Sequence, residues 1–100
     1  MMALSTHSLQ LLNIKILFFS LYYSGFSNNA CRILDAINTP FETVDVLEDM
    51  DIRSGIKSYS MWPTIPQLYV NGEFIGGSDI MIELYNNGEL AEMIEVANAN

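Results

Sequence analysis

The chain has 100 residues, half of them apolar, and its twelve acidic side chains against four basic ones give a formal net charge of −8. That length supports one domain around one core, and the apolar share supports folding rather than disorder. The charge excludes nonspecific nucleic-acid binding, which needs cationic side chains to displace counterions from phosphates, and leaves solubility or a basic partner protein as its use. A single cysteine, Cys31, excludes an internal disulfide and a multi-cysteine zinc site and points to a reducing compartment. His7 is the only histidine and lies in the least ordered-looking region, which gives a His-based metal site or a Ser-His-Asp triad little support.

Residues 9–23 are strongly apolar but broken by Gln10, Asn13, Lys15 and Ser20, too short and interrupted to span a membrane. They lack the basic start of a secretory signal and the Arg-rich character of a transit peptide. A buried strand over roughly residues 14–20 fits them better. Next, Phe26, Ala30, Ile33, Leu34 and Ile37 recur at three- and four-residue steps, the period of an amphipathic helix that Asn38-Thr39-Pro40 ends. Residues 41–46 alternate apolar and polar, as a half-buried strand does. Residues 49–59 suit a short helix with acids in its first turn and Lys57 in its last, which matches the helix dipole. Strands at 67–70 and 73–75 are joined by Asn71-Gly72, a strong hairpin signal. Helices at 78–85 and 89–97 close the chain, separated by Asn86-Asn87-Gly88. A βαβ unit followed by a hairpin predicts an α/β fold, a four-stranded mixed sheet flanked by helices. The thioredoxin-like topology is the simplest that keeps the crossover right-handed.

Three features carry chemistry. In Trp62-Pro63-Thr64-Ile65-Pro66-Gln67, the Ile65-Pro66 bond is either an ordinary turn before a strand or a cis bond that turns the Ile65 backbone outward. In Gly76-Gly77-Ser78-Asp79, glycines loosen the backbone, Ser78 can cap the following helix, and the free N–H groups there suit a carboxylate. Asp79 can accept from an ammonium group; alone, the motif is also a sound helix cap. Arg53 and Lys57 lie one turn apart on a shared face, either solvated or a clamp for a carboxylate. Trp62 is expected to pack rather than to bind.

Together with Ser24-Gly25-Phe26-Ser27, these motifs resemble the monothiol glutaredoxins, whose signature is Cys-Gly-Phe-Ser (CGFS). The resemblance covers about residues 25–96 and includes Asp45-Val46-Leu47-Glu48-Asp49 and Asn71-Gly72-Glu73. Its flavour is nearest to cyanobacterial and plastid members, which implies a plastid or the cytoplasm. The resemblance implies a glutaredoxin fold that binds glutathione along Arg53, Lys57, Thr64, Ile65, Gly77, Ser78 and Asp79. The cysteinyl unit would pair with Ile65 and the γ-glutamyl carboxylate with the helix start after Gly77. The ammonium would meet Asp79, and the glycyl carboxylate Arg53 and Lys57. It further implies a [2Fe-2S] cluster held between two subunits of a homodimer by cysteine and glutathione thiolates. Delivery of that cluster to iron-sulfur client proteins, with BolA-type partners, is the implied role. Neither nucleic acid nor a membrane enters it.

The departures fall near the start. Ser24 stands at the family's catalytic and cluster-ligating cysteine. A helix N-terminus lowers a thiol's pKa, whereas a serine hydroxyl stays protonated near neutral pH and is a poor iron ligand. Cys31, seven residues further on and so about 10 Å along the helix, is expected to be a buried packing residue. The family's lysine, eight residues before its cysteine, is replaced by Ile16, with Lys15 one position off. The family's polar loop is replaced by Phe18-Phe19-Ser20-Leu21-Tyr22-Tyr23. The glutaredoxin domain is therefore placed at 24–100, behind an atypical segment 1–23 that includes the first strand. Leu, Phe, Ser and Tyr are what a pyrimidine-rich intron end encodes. Reading through its terminal AG would turn a split cysteine codon into serine. On that reading, residues 1–23 and two bases of codon 24 are translated intron. The alternatives are a redox-inactive module that binds glutathione or a partner, and a glutathione-dependent oxidoreductase that uses Cys31.

Overall fold

In a computed structural model of the chain, the structure describes residues 13–20, 25–48, 50–62 and 64–99. The elements follow in the order β1 (Ile16–Ser20), α1 (Gly25–Ile37), β2 (Glu42–Asp45), α2 (Met50–Ser60), β3 (Gln67–Val70), β4 (Glu73–Gly76), α3 (Ser78–Asn86) and α4 (Glu89–Asn98). The four strands form one sheet in the order β2-β1-β3-β4. β1 runs parallel to β2 and antiparallel to β3, and β3 is antiparallel to β4. The expected mixed sheet of thioredoxin-like order is therefore present.

β1 lies inside the sheet, and both its faces are covered. Ile16 and Phe18 pack with Ala30 and Leu34 of α1, Met81 of α3 and Leu90 and Ile94 of α4. Leu17 and Phe19 point the other way, against Ile52 and Ile56 of α2 and against Tyr69. This is the period of two of a strand whose two sides are both dry. All four side chains are at most 1% exposed, and burial of each stabilises the fold by about 1.5–3 kcal/mol. The apolar run thus serves as a core strand, over Ile16–Ser20 rather than from residue 14.

The hairpin follows its sequence signal. Asn71 (φ 52°) and Gly72 (φ 80°) both adopt the left-handed region, as a two-residue turn must to match the twist of its strands. Asn38, at φ 63°, ends α1 in the same region. No helix among the described residues is long and apolar enough to cross a membrane.

Candidate functional site

A cavity of about 300 Å³ lies where residues 62–66 meet the starts of α1 and α3. One wall is Trp62, Thr64, Ile65 and Pro66, the other Gly77, Ser78, Asp79 and Ile80, with Phe26 of α1 beside them. The Ile65-Pro66 peptide is cis, the second of the two forms the sequence left open. Gln67 fixes this loop from below. Its buried amide nitrogen Nε2 donates to the carbonyl oxygens of Trp62 and Thr64, each at 3.1 Å. Its Oε1 accepts from the hydroxyl of Tyr69 at 2.9 Å, so the buried amide meets partners on both ends, as it must. Trp62 rests on Phe74, with ring centroids 5.9 Å apart, and its backbone N–H donates to Ser60 Oγ at 3.0 Å.

The two glycines of the opposite wall have different reasons. Gly76 sits at φ +156°, where an added Cβ would lie 2.7 Å from the Cβ of Ile80. Gly77 is extended (φ −93°, ψ −162°) and needs no special freedom. There a Cβ would stand 3.3 Å from the carbonyl oxygen of Pro66 and 3.4 Å from Trp62 Nε1. Gly77 therefore lets the two walls approach.

Ser78 does not cap α3, contrary to the sequence expectation. The extended Gly77 is the N-cap and makes no side-chain cap bond, which leaves Ser78 as the first helical residue. A side chain one position inside the helix no longer has the cap geometry that reaches the next N–H groups. Its Oγ is instead buried without a hydrogen-bond partner, at the cavity wall. Beside it, the N–H groups of the first turn lack intrahelical acceptors, and Asp79 supplies an exposed carboxylate. The wall therefore offers several donors and one anionic acceptor.

Thr64, Ile65, Gly77, Ser78 and Asp79 thus line one cavity. Arg53 and Lys57 lie on α2, whose Ile52 and Ile56 pack on the sheet face away from α1, and neither lines the cavity. Ser24 lies outside the described residues; it directly precedes Gly25, the first residue of α1. Ile16, at the spacing of the family's lysine, is in the core, and Lys15 borders a separate hollow with Pro40 and Glu42. Cys31 is half-buried against the core. That burial, and then the Asp35 carboxylate, push its thiol above the usual cysteine range, so at neutral pH it is a packing side chain.

Sequence reasoning missed four contributors. Phe26 was counted on the buried face of its helix, yet it is 64% exposed, and Ser27 is the buried residue of that first turn. Trp62 packs, as expected, but also lines the cavity. Ile80 is the neighbour that makes Gly76 obligatory. Gln67 had a visible signal: an amide that opens the otherwise apolar strand Gln67–Val70 directly after a proline.

A [2Fe-2S] cluster held in the family's manner does not fit these residues. It requires a thiolate where Ser24 carries a hydroxyl, and the described residues contain no group of three or more His, Cys, Asp or Glu side chains able to hold a metal ion.

The glutaredoxin family model matches residues 16–75. Over 76 residues the chain is 71% identical to an uncharacterized monothiol glutaredoxin, ycf64-like, of Synechocystis sp., a match that covers 76% of this chain and 71% of that protein. It is 53% identical over 73 residues to the chloroplastic monothiol glutaredoxin-S14 of Arabidopsis thaliana, covering 73% of this chain and 42% of that one. The chain thus spans less than half the length of the chloroplastic relatives it matches. Reduced poplar apo GrxS14 superposes with a TM-score of 0.79 at 44% identity, over 87% of this chain and 84% of that one. A buckwheat glutaredoxin solved as a glutathione complex superposes with a TM-score of 0.83 over 95% and 97% of the two chains, and at 22% identity it shows the shared fold. With a family match over more than half its length and monothiol relatives at 71% and 53% identity, the chain belongs to the glutaredoxin family, on its monothiol side.

Proposed function

We propose that this domain binds glutathione as monothiol glutaredoxins do, and that with Ser24 it binds without thiol–disulfide exchange. The observation that carries the proposal is the buried, partnerless Oγ of Ser78, set beside the open N–H groups of α3 and the carboxylate of Asp79. That set suits a γ-glutamyl group: its carboxylate accepts from the helix start and the Ser78 hydroxyl, and its ammonium donates to Asp79. The cysteinyl unit pairs with the Ile65 backbone across the gap that Gly77 keeps open, with Thr64 alongside. Arg53 and Lys57 take the glycyl carboxylate beyond the cavity itself. The buckwheat glutaredoxin–glutathione complex supports the ligand class. A serine hydroxyl neither attacks a disulfide nor forms one, so bound glutathione keeps its own thiol free. Cluster transfer and a cluster-bridged homodimer of the family type require a cysteine thiolate at position 24.

Titration of the labelled chain with reduced glutathione tests this reading. The amides of Ile65, Gly77 and Asp79 should shift together, and Ser78→Ala should weaken binding by roughly tenfold, the equivalent of about 1.4 kcal/mol for one ligand hydrogen bond. No shifts, or shifts confined to other residues, would remove the proposal.

A second reading rests on the sequence: Ser24 stands where the monothiol family carries cysteine, directly after an apolar run rich in Leu, Phe, Ser and Tyr. Residues 1–23 and two bases of codon 24 are then translated intron, and the spliced product is a cluster-carrying monothiol glutaredoxin of a plastid or reducing cytoplasm. Sequencing the spliced transcript across codon 24 decides. TGC or TGT behind a different exon supports this reading, and AGC or AGT behind the same residues sinks it.

A further inference from the structure

A larger hollow, of about 770 Å³, lies between the β3–β4 hairpin and α4 and shares no lining residue with the glutathione cavity. Its floor is apolar: Val70 and Ile75 from the sheet, Val96 from the helix. Val96 is 64% exposed, whereas Leu90 and Ile94 of the same helix are buried in the core. The rims are acidic, with Glu73 on β4 facing Glu89, Glu92 and Glu95 on α4, and no lysine or arginine lines the hollow.

The placement of these charges selects the occupant. The acids flank the groove rather than converge, for no group of three or more acidic, His or Cys side chains among the described residues can hold a metal ion. A second copy of the chain would bring its own charge of −8 to a face of the same sign. Nucleic acid is repelled by the same field. An elongated cation with an apolar centre meets both the rims and the floor, as amphipathic segments do in grooves. We propose that the β4–α4 groove docks a basic amphipathic segment of a partner protein. One apolar side chain of that segment rests on Val70, Ile75 and Val96, and Lys or Arg residues on either side of it reach Glu73 and the α4 glutamates.

The probe is a pentapeptide with leucine between two pairs of lysines, titrated into the full labelled chain at low salt. Shifts should centre on Val70, Ile75, Glu92 and Val96 and shrink as salt rises. Leucine→Ala in the peptide should weaken binding several-fold. The protein variant Glu73→Gln/Glu95→Gln, which removes one exposed charge from each rim, should weaken it by roughly fivefold and leave glutathione binding unchanged. The proposal fails if the peptide shifts only the Phe26–Trp62 region, if magnesium chloride alone reproduces the shifts, or if leucine→Ala changes nothing. Shifts that depend on protein concentration without peptide would overturn it in favour of self-association.

Discussion

The hydroxyl of Tyr69 donates to Oε1 of Gln67 at 2.9 Å, and this bond ties the sheet interior to the cavity loop. Tyr69 itself meets Phe19 edge-on at 5.5 Å and Phe74 at a tilt, also at 5.5 Å. The carbonyls of Trp62 and Thr64 are aimed by the amide that Tyr69 orients. Gln67 thus links the cavity wall to the core, beside the packing of Trp62 on Phe74.

Gln67→Leu should therefore cost more than its size change suggests. It removes the Gln67 acceptor from the buried Tyr69 hydroxyl and frees both loop carbonyls, for a loss of about 2–4 kcal/mol. Urea denaturation of Gln67→Leu, Tyr69→Phe and the double variant measures the coupling. The double variant should be less destabilised than the sum of the singles, because the hydroxyl that lost its Gln67 acceptor is gone. Strict additivity would show that the bond carries no coupling.

The two adjacent glycines should separate folding from binding. Gly76→Ala places a Cβ against Ile80 at a positive φ, costing about 3 kcal/mol. Ile80→Ala in that background relieves the overlap but not the backbone conformation, so rescue should be partial. Gly77→Ala, in an ordinary extended conformation, should cost under about 1 kcal/mol and yet weaken glutathione binding several-fold. Thermal melts paired with glutathione titration distinguish the two.

Ser24→Cys should restore the missing donor. After anaerobic reconstitution with iron, sulfide and glutathione, the variant should develop a visible charge-transfer spectrum that a strong chelator removes, and the Ser24 chain should stay colourless. An equally strong spectrum from the Ser24 chain would show that the hydroxyl is not the obstacle.

Alkaline pH should destabilise the fold through Tyr69. Burial, the largest cause, pushes its phenol above the usual tyrosine range; Ser60 partly offsets this and Tyr59 adds to it. The folded state thus keeps its proton where the unfolded chain has lost one. Its stability contribution is complete below the unfolded value of about 10 and declines as pH rises from there towards the folded value. Denaturation midpoints measured across pH 9–11 should fall, and the fall should be shallower in Tyr69→Phe. Parallel slopes in the two proteins would exclude Tyr69 as the cause.

What the sequence revealed followed local physics. Asn71-Gly72 forced the hairpin because its turn needs two positive φ values, and the spacing of Ala30, Leu34 and Ile37 reported the buried stripe of α1. The cavity loop and the Gly76–Asp79 wall were visible as motifs. Other features depended on where elements meet. Periodicity counted Phe26 as buried, whereas the polar Ser27 takes the buried place in the first turn of α1. Gly77, not Ser78, is the cap, a shift of one residue that the motif alone does not show. Gln67 gained its meaning from Tyr69 and two carbonyls that no short window contains.

β1 contributes nothing to the cavity lining. Its requirement is bulk on both sides, met here by four large apolar residues in a row, Ile16 to Phe19. Volume and apolarity on each face are thus what this strand must keep: exchanges among large aliphatic and aromatic residues at positions 16–19 disturb the core's packing before they reach the cavity wall.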